Sequence, residues 1–162
     1  MIKKGIILAG GTGTRLSPLT KSVNKQLLPI HDKPMIFYPL SVMMLANIKK
    51  ILMIVNPGQI NNFKSLLGDG SRYGINISYK IQDKPRGLPD AFILGKTFIN
   101  KDNVALILGD NFFYGQSLTK KLEKSSVHKF GATIFLKEVS SPENYGVAKI
   151  KKKKIEKIIE KP

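Results

Sequence analysis

The sequence has 162 residues and a mass of 18.0 kDa, the size of one ordinary domain. Hydrophobic residues make up 42% of it and charged residues 23%, which excludes a disordered, collagen-like or coiled-coil chain. There is no cysteine, so disulfides, thiolate metal sites and a cysteine nucleophile are also excluded. No apolar run reaches the ~18 residues of a membrane-spanning helix, and we expect a cytoplasmic protein without a membrane partner.

The net charge is strongly positive. It amounts to +16, and 24 of the 27 basic residues are lysines. A basic chain suggests nucleic-acid binding, but surfaces that read bases use bidentate arginines and stacked aromatic side chains. The sequence shows no such pattern. We interpret the lysines as solvated surface charge, with attraction of anionic small molecules as the alternative, and expect no nucleic-acid partner.

Short apolar runs alternate with amphipathic stretches along the chain. The predicted strands are Lys4–Leu8, Lys50–Val55, Ile75–Gln82, Val104–Leu108 and Ala132–Val139. The predicted helices are Pro34–Asn47, with the proline in the first turn, Gln59–Leu67, which Gly68 ends, Leu88–Phe98, and Ser117–Ser126, which Ser117 caps. Three of the strands are almost wholly apolar, as strands covered on both faces are. The alternation predicts an α/β fold with a central, mostly parallel sheet.

The pattern changes after Val139. Two further strands, Tyr145–Ile150 and Ile155–Ile159, are predicted on either side of Lys151–Lys154. No glycine or asparagine marks a tight turn between them, so the usual signal for a hairpin is missing. We expect a single domain over residues 1–162.

A glycine-rich loop follows the first predicted strand. Gly10, Gly11 and Gly13 let backbone N–H groups approach an anion without obstruction by Cβ atoms. The spacing fits neither the Rossmann fingerprint nor the P-loop, and a purely structural turn remains an alternative. Arg15 directly after the loop and Lys25 further on have the composition of a triphosphate clamp.

The motifs together resemble the sugar-1-phosphate nucleotidylyltransferases. They are G-G-x-G-T-R-L-x-P-x-T at residues 10–20, K-Q-L-L-P at 25–29, D-K-P-M-I at 32–36, L-G-D-N at 108–111, Y-G-V at 145–147 and E-K-P at 160–162. The resemblance implies a Rossmann-like nucleotidyltransferase fold whose parallel sheet carries helices on both faces. Pro89 and Asp90 stand where relatives usually have Ala-Gln, a departure that affects contacts near the nucleotide.

The resemblance also implies an activity. Its nearest branch transfers dTMP from dTTP to glucose 1-phosphate, giving dTDP-glucose and pyrophosphate with Mg²⁺, as the first step of dTDP-rhamnose synthesis for surface polysaccharide. Members of the family are homo-oligomers. They continue well past the segment that matches Glu160–Pro162, so we expect a chain truncated at its C-terminus, with feeble activity.

Residue roles carry over from the matching motifs. Those implied in nucleotide binding are Leu8, Gly10, Gly11, Thr12, Gly13, Thr14, Arg15, Lys25, Gln26, Gln82, Gly87 and Asp110. Among them Arg15, Lys25 and Asp110 are implied as catalytic, on the leaving phosphates, the α-phosphate and Mg²⁺ respectively. Gln82 and Gly87 are implied as the thymine readers. The implied sugar-phosphate contacts are Tyr145, Gly146, Glu160 and Lys161.

Two other functions stay open on the sequence alone. One is nucleotidyl transfer with a different nucleoside triphosphate or sugar phosphate, because Gln82 can pair with a pyrimidine edge but hardly senses the 5-methyl group. The other is nucleotide binding without catalysis, by an inactive fragment.

Overall fold

The computed structural model describes residues 1–11, 13–84, 86–127, 131–152 and 154–160. The chain consists of two compact units, Met1–Lys129 and Phe130–Pro162, which are described separately. The strands are β1 (Lys4–Ala9), β2 (Pro29–Ile30), β3 (Lys33–Pro34), β4 (Lys50–Val55), β5 (Asn76–Ile81), β6 (Val104–Leu108), β7 (Gly146–Lys151) and β8 (Lys154–Glu160). The α-helices are α1 (Phe37–Leu45), α2 (Ile60–Leu67), α3 (Pro89–Leu94), α4 (Lys96–Ile99) and α5 (Leu118–Ser126).

Four parallel strands form the central sheet of the first unit, in the order β5-β4-β1-β6. Lys4 of β1 lies opposite Lys50 of β4 and Val104 of β6. The strands are therefore in step, and their carboxyl ends reach the same edge. The predicted α/β fold with a parallel sheet is confirmed.

Helices cover both faces of this sheet. Because successive side chains of a strand point to opposite faces, neighbouring residues of β1 enter different hydrophobic clusters: Ile7 packs with α1, α2 and α5, and Ile6 packs with α3 and α4. The larger cluster includes Leu40, Met53, Phe63, Leu67 and Leu122. The smaller one is built on Ile6, Leu52, Ile54 and Ala91.

The strand order reverses at β1. The chain passes from β1 to β4 and β5 on one side, and then crosses through α3 and α4 to β6 on the other side. Such a switch point leaves a crevice outside the carboxyl ends of the two strands that flank it, here β1 and β6. The fold thereby selects the position at which a ligand would bind.

The amino edge of the same sheet is rich in lysine. A cavity of about 580 Å³ there is lined by Lys3, Lys4, Lys49, Lys50 and Lys101, with Asp102 as the carboxylate among them. The Lys4 ammonium lies 2.6 Å from Asp102 Oδ2 and, by hydrogen bonding to it, lowers the pKa of that carboxyl. Lys4 also donates to the carbonyls of Phe98 and Ile99 at the end of α4.

Three predictions about the helices are wrong in detail. Pro34 belongs to the short β2–β3 ladder, so α1 begins only at Phe37. The predicted helix Leu88–Phe98 is divided at Gly95, where an added Cβ would lie 2.9 Å from both Ile6 Cδ1 and the carbonyl oxygen of Ala91. Ser117 has a φ of 58° and makes no side-chain cap bond to α5.

The predicted strand Ala132–Val139 is also wrong. Residues 132–139 are exposed and form no strand. A strand needs a partner for its backbone groups, and no described strand pairs with this segment. The apolar pattern of these residues therefore led to a wrong prediction.

The second unit contains an antiparallel hairpin of β7 and β8. Lys151 pairs with Lys154, so the connection is a tight one even though it has neither glycine nor asparagine. Lys152 supplies the left-handed conformation that such turns need, with a φ of 47°. The two predicted strands are confirmed, with small shifts of their ends.

Tyr79 of β5 yields a prediction about alkaline stability. Its hydroxyl donates to the carbonyl of Gly68 at 2.6 Å, and burial raises its pKa to about 12 from 10.0. Because the folded state favours the neutral phenol, this stabilisation is complete below pH 10 and is lost as the pH rises towards 12. Urea unfolding across that range should show a smaller loss of stability in Tyr79→Phe than in the unchanged protein.

Tyr114 is the matched control, since its side chain is 94% exposed. Tyr114→Phe should follow the unchanged protein at every pH. Equal pH dependence in all three proteins would contradict the assignment of this effect to Tyr79.

Candidate active site at the carboxyl edge of the sheet

A glycine follows the first of the four central strands at the carboxyl edge, and polar residues follow the other three. Gly10 comes directly after β1, Asn56 after β4, Gln82 after β5, and Asp110 one residue beyond β6. Sequence reasoning identified three of these positions and missed Asn56. The signal was present, because Asn56 follows a strand that is apolar from Ile51 to Val55, much as Asp110 comes shortly after the apolar strand β6.

Asn56 fixes the backbone of the glycine loop. Its Oδ1 accepts from the N–H of Gly11 at 3.1 Å, and its Nδ2 donates to the carbonyl of Gly11 at 2.8 Å. Gly11 has a φ of 106°, a conformation that suits glycine. One side chain thus replaces the hydrogen bonds that a loop would otherwise make with water.

The far side of the loop packs on the stem of Lys25. The Thr20 hydroxyl donates to the carbonyl of Gly13 at 2.9 Å. A Cβ added to Gly13 would lie 2.8 Å from Thr20 Cγ2 and 3.2 Å from Lys25 Cβ. Glycine at this position is therefore what lets the loop lie close against Lys25.

Lys25 and Asp110 form an ion pair across the switch point, with Lys25 Nζ 2.8 Å from Asp110 Oδ2. Each side chain is about one-third exposed, at 29% and 33%. Ion pairs that exposed contribute at most ~1 kcal/mol to stability. The pair is a weak structural contact, and it leaves a cation and an anion accessible at the mouth of the crevice.

Gln26 and Asn24 lie buried beneath the loop. Asn24 Nδ2 is 3.5 Å from the carbonyl oxygen of Ala9, and its Oδ1 accepts from the backbone N–H of Gln26. Gln26 Nε2 donates to the carbonyl of Gly10 at 3.4 Å, while its buried Oε1 has no hydrogen-bond partner among the described residues. Gln26 is thus positioned under the loop, with one acceptor unused.

Gln82 is held by a partner that the sequence did not reveal. Its Nε2 donates to Asp90 Oδ2 at 2.7 Å, and both residues are 4% exposed. Arg86 Nη1 lies 3.8 Å from Asp90 Oδ1. A Cβ added to Gly10 would lie 2.8 Å from Gln82 Oε1, so Gln82 and the glycine loop are in close contact.

The remaining residues that were predicted to bind the nucleotide are mostly exposed. Arg15 and Thr14 are exposed, and Arg15 pairs with no described residue. Gly87 is exposed and has a φ of 89°. Leu8 is a half-buried strand residue whose carbonyl accepts from Gly109 N–H at 2.8 Å. Thr12 lies outside the described residues.

Three of the predicted sugar-phosphate residues lie near one end of the β7–β8 hairpin. Gly146 pairs with Glu160, and an added Cβ on Gly146 would lie 3.2 Å from Glu160 Oε2. Tyr145 immediately precedes β7 and is exposed. The hairpin thus brings these three together within the second unit. Lys161 lies outside the described residues.

Asp110 is suited to a hard cation, because Mg²⁺ prefers carboxylate, phosphate and water oxygens. Its Oδ2 bonds to Lys25, and no described residue donates to its Oδ1. Among the described residues there is no cluster of three metal-ligating side chains. Asp110 therefore offers one carboxylate of the kind that a hard cation such as Mg²⁺ prefers.

Open parallel sheets bind nucleotides at their switch points, and the crevice here has a glycine loop, a cation and a carboxylate at that place. Fold and site are together of the kind found in nucleotide-binding α/β proteins. The chain belongs to the nucleotidyl transferase family, whose sequence model it matches over residues 4–162.

The chain is also similar in sequence to curated members of the family. The chain is 59% identical to the glucose-1-phosphate thymidylyltransferase of Neisseria meningitidis over 144 residues, which cover 89% of this chain and 50% of that protein. It is 52% identical over 161 residues to that of Xanthomonas campestris, covering 99% of this chain and 55% of the relative. The chain thus spans about half the length of the curated relatives it matches.

Solved structures share the fold. A Bacillus anthracis protein assigned as a glucose-1-phosphate thymidylyltransferase, crystallised with sucrose, superposes with a TM-score of 0.91 at 40% identity, covering 98% of this chain and 64% of its own. A UDP-glucose pyrophosphorylase complexed with UDP-glucose gives 0.78 at 25% identity, covering 100% of this chain and 70% of its own. The predicted nucleotidyltransferase fold is confirmed.

Within the described ranges, no helix is both long and apolar enough to cross a membrane.

The Asn56 contacts predict an effect on both stability and binding. Asn56→Ala removes two hydrogen bonds from the loop backbone, which should destabilise the protein by ~1–3 kcal/mol and weaken nucleotide binding. Thermal unfolding and titration with a nucleoside triphosphate would measure the two effects.

The control is Asn62→Ala, since among the described residues the exposed Asn62 side chain bonds only to the side chain of Gln59. It should change stability by no more than ~0.5 kcal/mol. If Asn56→Ala bound nucleotide as tightly as this control, the loop would not depend on Asn56.

Proposed function

We propose that this protein acts in the transfer of dTMP from dTTP to glucose 1-phosphate, giving dTDP-glucose and pyrophosphate, with the carboxyl edge of its sheet as the dTTP site. The observation that carries the proposal is the meeting, at one switch point, of the glycine loop, the Lys25–Asp110 pair and the buried Gln82. Family membership and the names of the close relatives support the choice of reaction.

The loop and Arg15 would bind the leaving phosphates. Gly11 N–H already donates to Asn56, which leaves Gly10 and Gly13 as the glycine N–H donors. Arg15 is exposed beside them and has no described partner, so its guanidinium is available for a bidentate phosphate contact. In the reaction, these groups stabilise the charge that moves onto pyrophosphate.

Lys25 and Asp110 would exchange partners when nucleotide arrives. In the free protein the ammonium and the carboxylate neutralise each other at 2.8 Å. With dTTP present, Lys25 would turn to the α-phosphate, and Asp110 would hold the Mg²⁺ that neutralises phosphate charge. The exchange costs little because the pair is partly exposed, and it keeps both charges in position before binding.

The reaction is an in-line displacement that needs positioning and charge stabilisation. A phosphate oxygen of glucose 1-phosphate forms a bond to the α-phosphorus of dTTP, and the bond from that phosphorus to the bridging oxygen breaks. The electron pair leaves with pyrophosphate. Tyr145, Gly146 and Glu160 are the described residues that we assign to the sugar phosphate, and Gln82 with Gly87 those that we assign to thymine.

The wider role follows from the same proposal. We place the reaction at the start of dTDP-rhamnose synthesis, in the cytoplasm, and in a protein that assembles as a homo-oligomer. The support is the close similarity to glucose-1-phosphate thymidylyltransferases.

Two observations favour specific alternatives. The likeness to a UDP-glucose pyrophosphorylase complexed with UDP-glucose favours UTP as a competing substrate. The coverage of only about half of the curated relatives is the reason to test nucleotide binding without turnover as the second alternative. Both alternatives are separated from the main proposal by the experiments below.

Calorimetric titration tests the nucleotide and the metal together. dTTP should bind more tightly than ATP, and Mg²⁺ should strengthen the binding. Asp110→Asn, a nearly isosteric change, should remove most of the Mg²⁺ effect while leaving the fold intact. Asp32→Asn is the matched control, because Asp32 forms a similar pair with Lys33, at 3.0 Å. An undiminished Mg²⁺ effect in Asp110→Asn would show that Asp110 is not the ligand.

Pyrophosphate release tests transfer. Release should require both dTTP and glucose 1-phosphate, and Lys25→Gln should reduce it by ~100-fold or more, the cost of losing one charge stabiliser. For the 162 residues alone we expect turnover far below ~10 s⁻¹, a usual enzyme value. Binding of dTTP without any release would favour the binding-only alternative, and faster release with UTP would favour the pyrophosphorylase alternative.

A further inference from the structure

Gln82 and Asp90 form a buried polar contact at the carboxyl edge. Gln82 follows β5, and Asp90 lies in the first turn of α3. The Nε2–Oδ2 distance is 2.7 Å, and each residue is 4% exposed. A buried carboxylate is costly unless it is hydrogen-bonded and paired with a cation. Here Gln82 supplies the hydrogen bond, and Arg86 supplies the nearby charge at 3.8 Å.

This contact determines the orientation of the Gln82 side-chain amide. An amide has a donor end and an acceptor end, whereas an ionised carboxylate only accepts. The NH₂ end must therefore face Asp90, and Oε1 must point away. Oε1 lies towards Gly10, as shown by the 2.8 Å separation from a Cβ added there, and no described residue donates a hydrogen bond to it.

Gln82 consequently presents its acceptor oxygen to the crevice, while one N–H of its amide is bonded to Asp90. Thymine and uracil carry an N–H at position 3, which can donate to such an oxygen. Cytosine has an unprotonated nitrogen at the same position, so two acceptors would face each other. A polar group left unpaired in this way costs ~1–3 kcal/mol.

We propose that Asp90 is a positioning residue for base selection, which holds Gln82 Oε1 towards the crevice so that the site accepts thymine or uracil nucleotides and rejects cytosine nucleotides. The inference rests on the proposed function, in which Gln82 contacts the base. Beyond that function, it identifies Asp90 as the residue that makes Gln82 present a hydrogen-bond acceptor to the base. Asp90 acts through Gln82 and does not itself touch the nucleotide.

The polarity of the site can be measured with three nucleotides. In the presence of Mg²⁺, dTTP and dUTP should bind more tightly than dCTP by ~5–100-fold, the ratio that corresponds to one unpaired buried polar group. Asp90→Asn keeps the shape of the side chain but accepts either orientation of the Gln82 amide. It should reduce the dTTP-to-dCTP affinity ratio at least ~5-fold, with dCTP binding gained as well as dTTP binding lost.

Asp83→Asn is the control, because Asp83 is an exposed carboxylate one residue from Gln82 that forms no ion pair with any described residue. It should leave the ratio unchanged. A purely structural role for Asp90 would lower affinity for every nucleotide equally, and an unchanged ratio in folded Asp90→Asn would overturn the proposal.

A second measurement uses only the unchanged protein, so it remains informative if the Asp90→Asn variant does not fold. In NMR spectra of the unchanged protein, the side-chain NH₂ of Gln82 should remain protected from exchange when dTTP binds, because it stays bonded to Asp90. The thymine imino proton should become protected instead. Exposure of the Gln82 NH₂ to exchange on dTTP binding would overturn the proposal, whereas failure of dTTP to bind at all would refute the proposed function itself.

Discussion

Parallel strand pairing is the constraint on which the rest of the structure depends. Because β1, β4, β5 and β6 run in step, the glycine loop and three polar residues that are far apart in sequence follow their strands at one edge. The reversal of strand order at β1 then opens a crevice between β1 and β6. The Lys25–Asp110 pair spans that crevice. Without this topology, no local sequence pattern would bring the loop and the carboxylate together.

Side-chain amides prepare the edge for a ligand. Asn56 fixes the backbone of the glycine loop, and Asp90 fixes the orientation of Gln82. The conformational freedom that these contacts remove is lost during folding and not when a ligand binds. A smaller loss at binding is the usual benefit of preorganisation. The accessible Lys25–Asp110 pair is different, since under the proposed function its charges change partners when a nucleotide binds. On that proposal, the site combines a fixed loop and a fixed Gln82 with a pair of charges that can exchange partners.

The sequence predicted those parts of the fold that local pattern determines. The bounds of β4 and β6 were predicted correctly because strands buried on both faces are apolar throughout. Ala132–Val139 failed because the same pattern forms a strand only where a partner is available. At the site, the glycine loop, Lys25 and Asp110 were identified from their motifs. Asn56 was missed although it follows a buried strand, and Asp90 was noted only as a departure from the family pattern. The hydrogen bonds of these two residues could not be predicted, because they join residues whose proximity only the folded chain creates.

The central claim is that a thymidine nucleotide binds at the carboxyl edge of the sheet. The lysine-lined cavity at the amino edge offers anions a competing position, so the location of binding is the decisive point. Mapping of backbone amide shifts during titration with dTTP and Mg²⁺ tests it most directly. The account predicts the largest changes at Gly10, Gly13, Gln82 and Asp110. Changes concentrated at Lys3, Lys49 and Lys101 would contradict it.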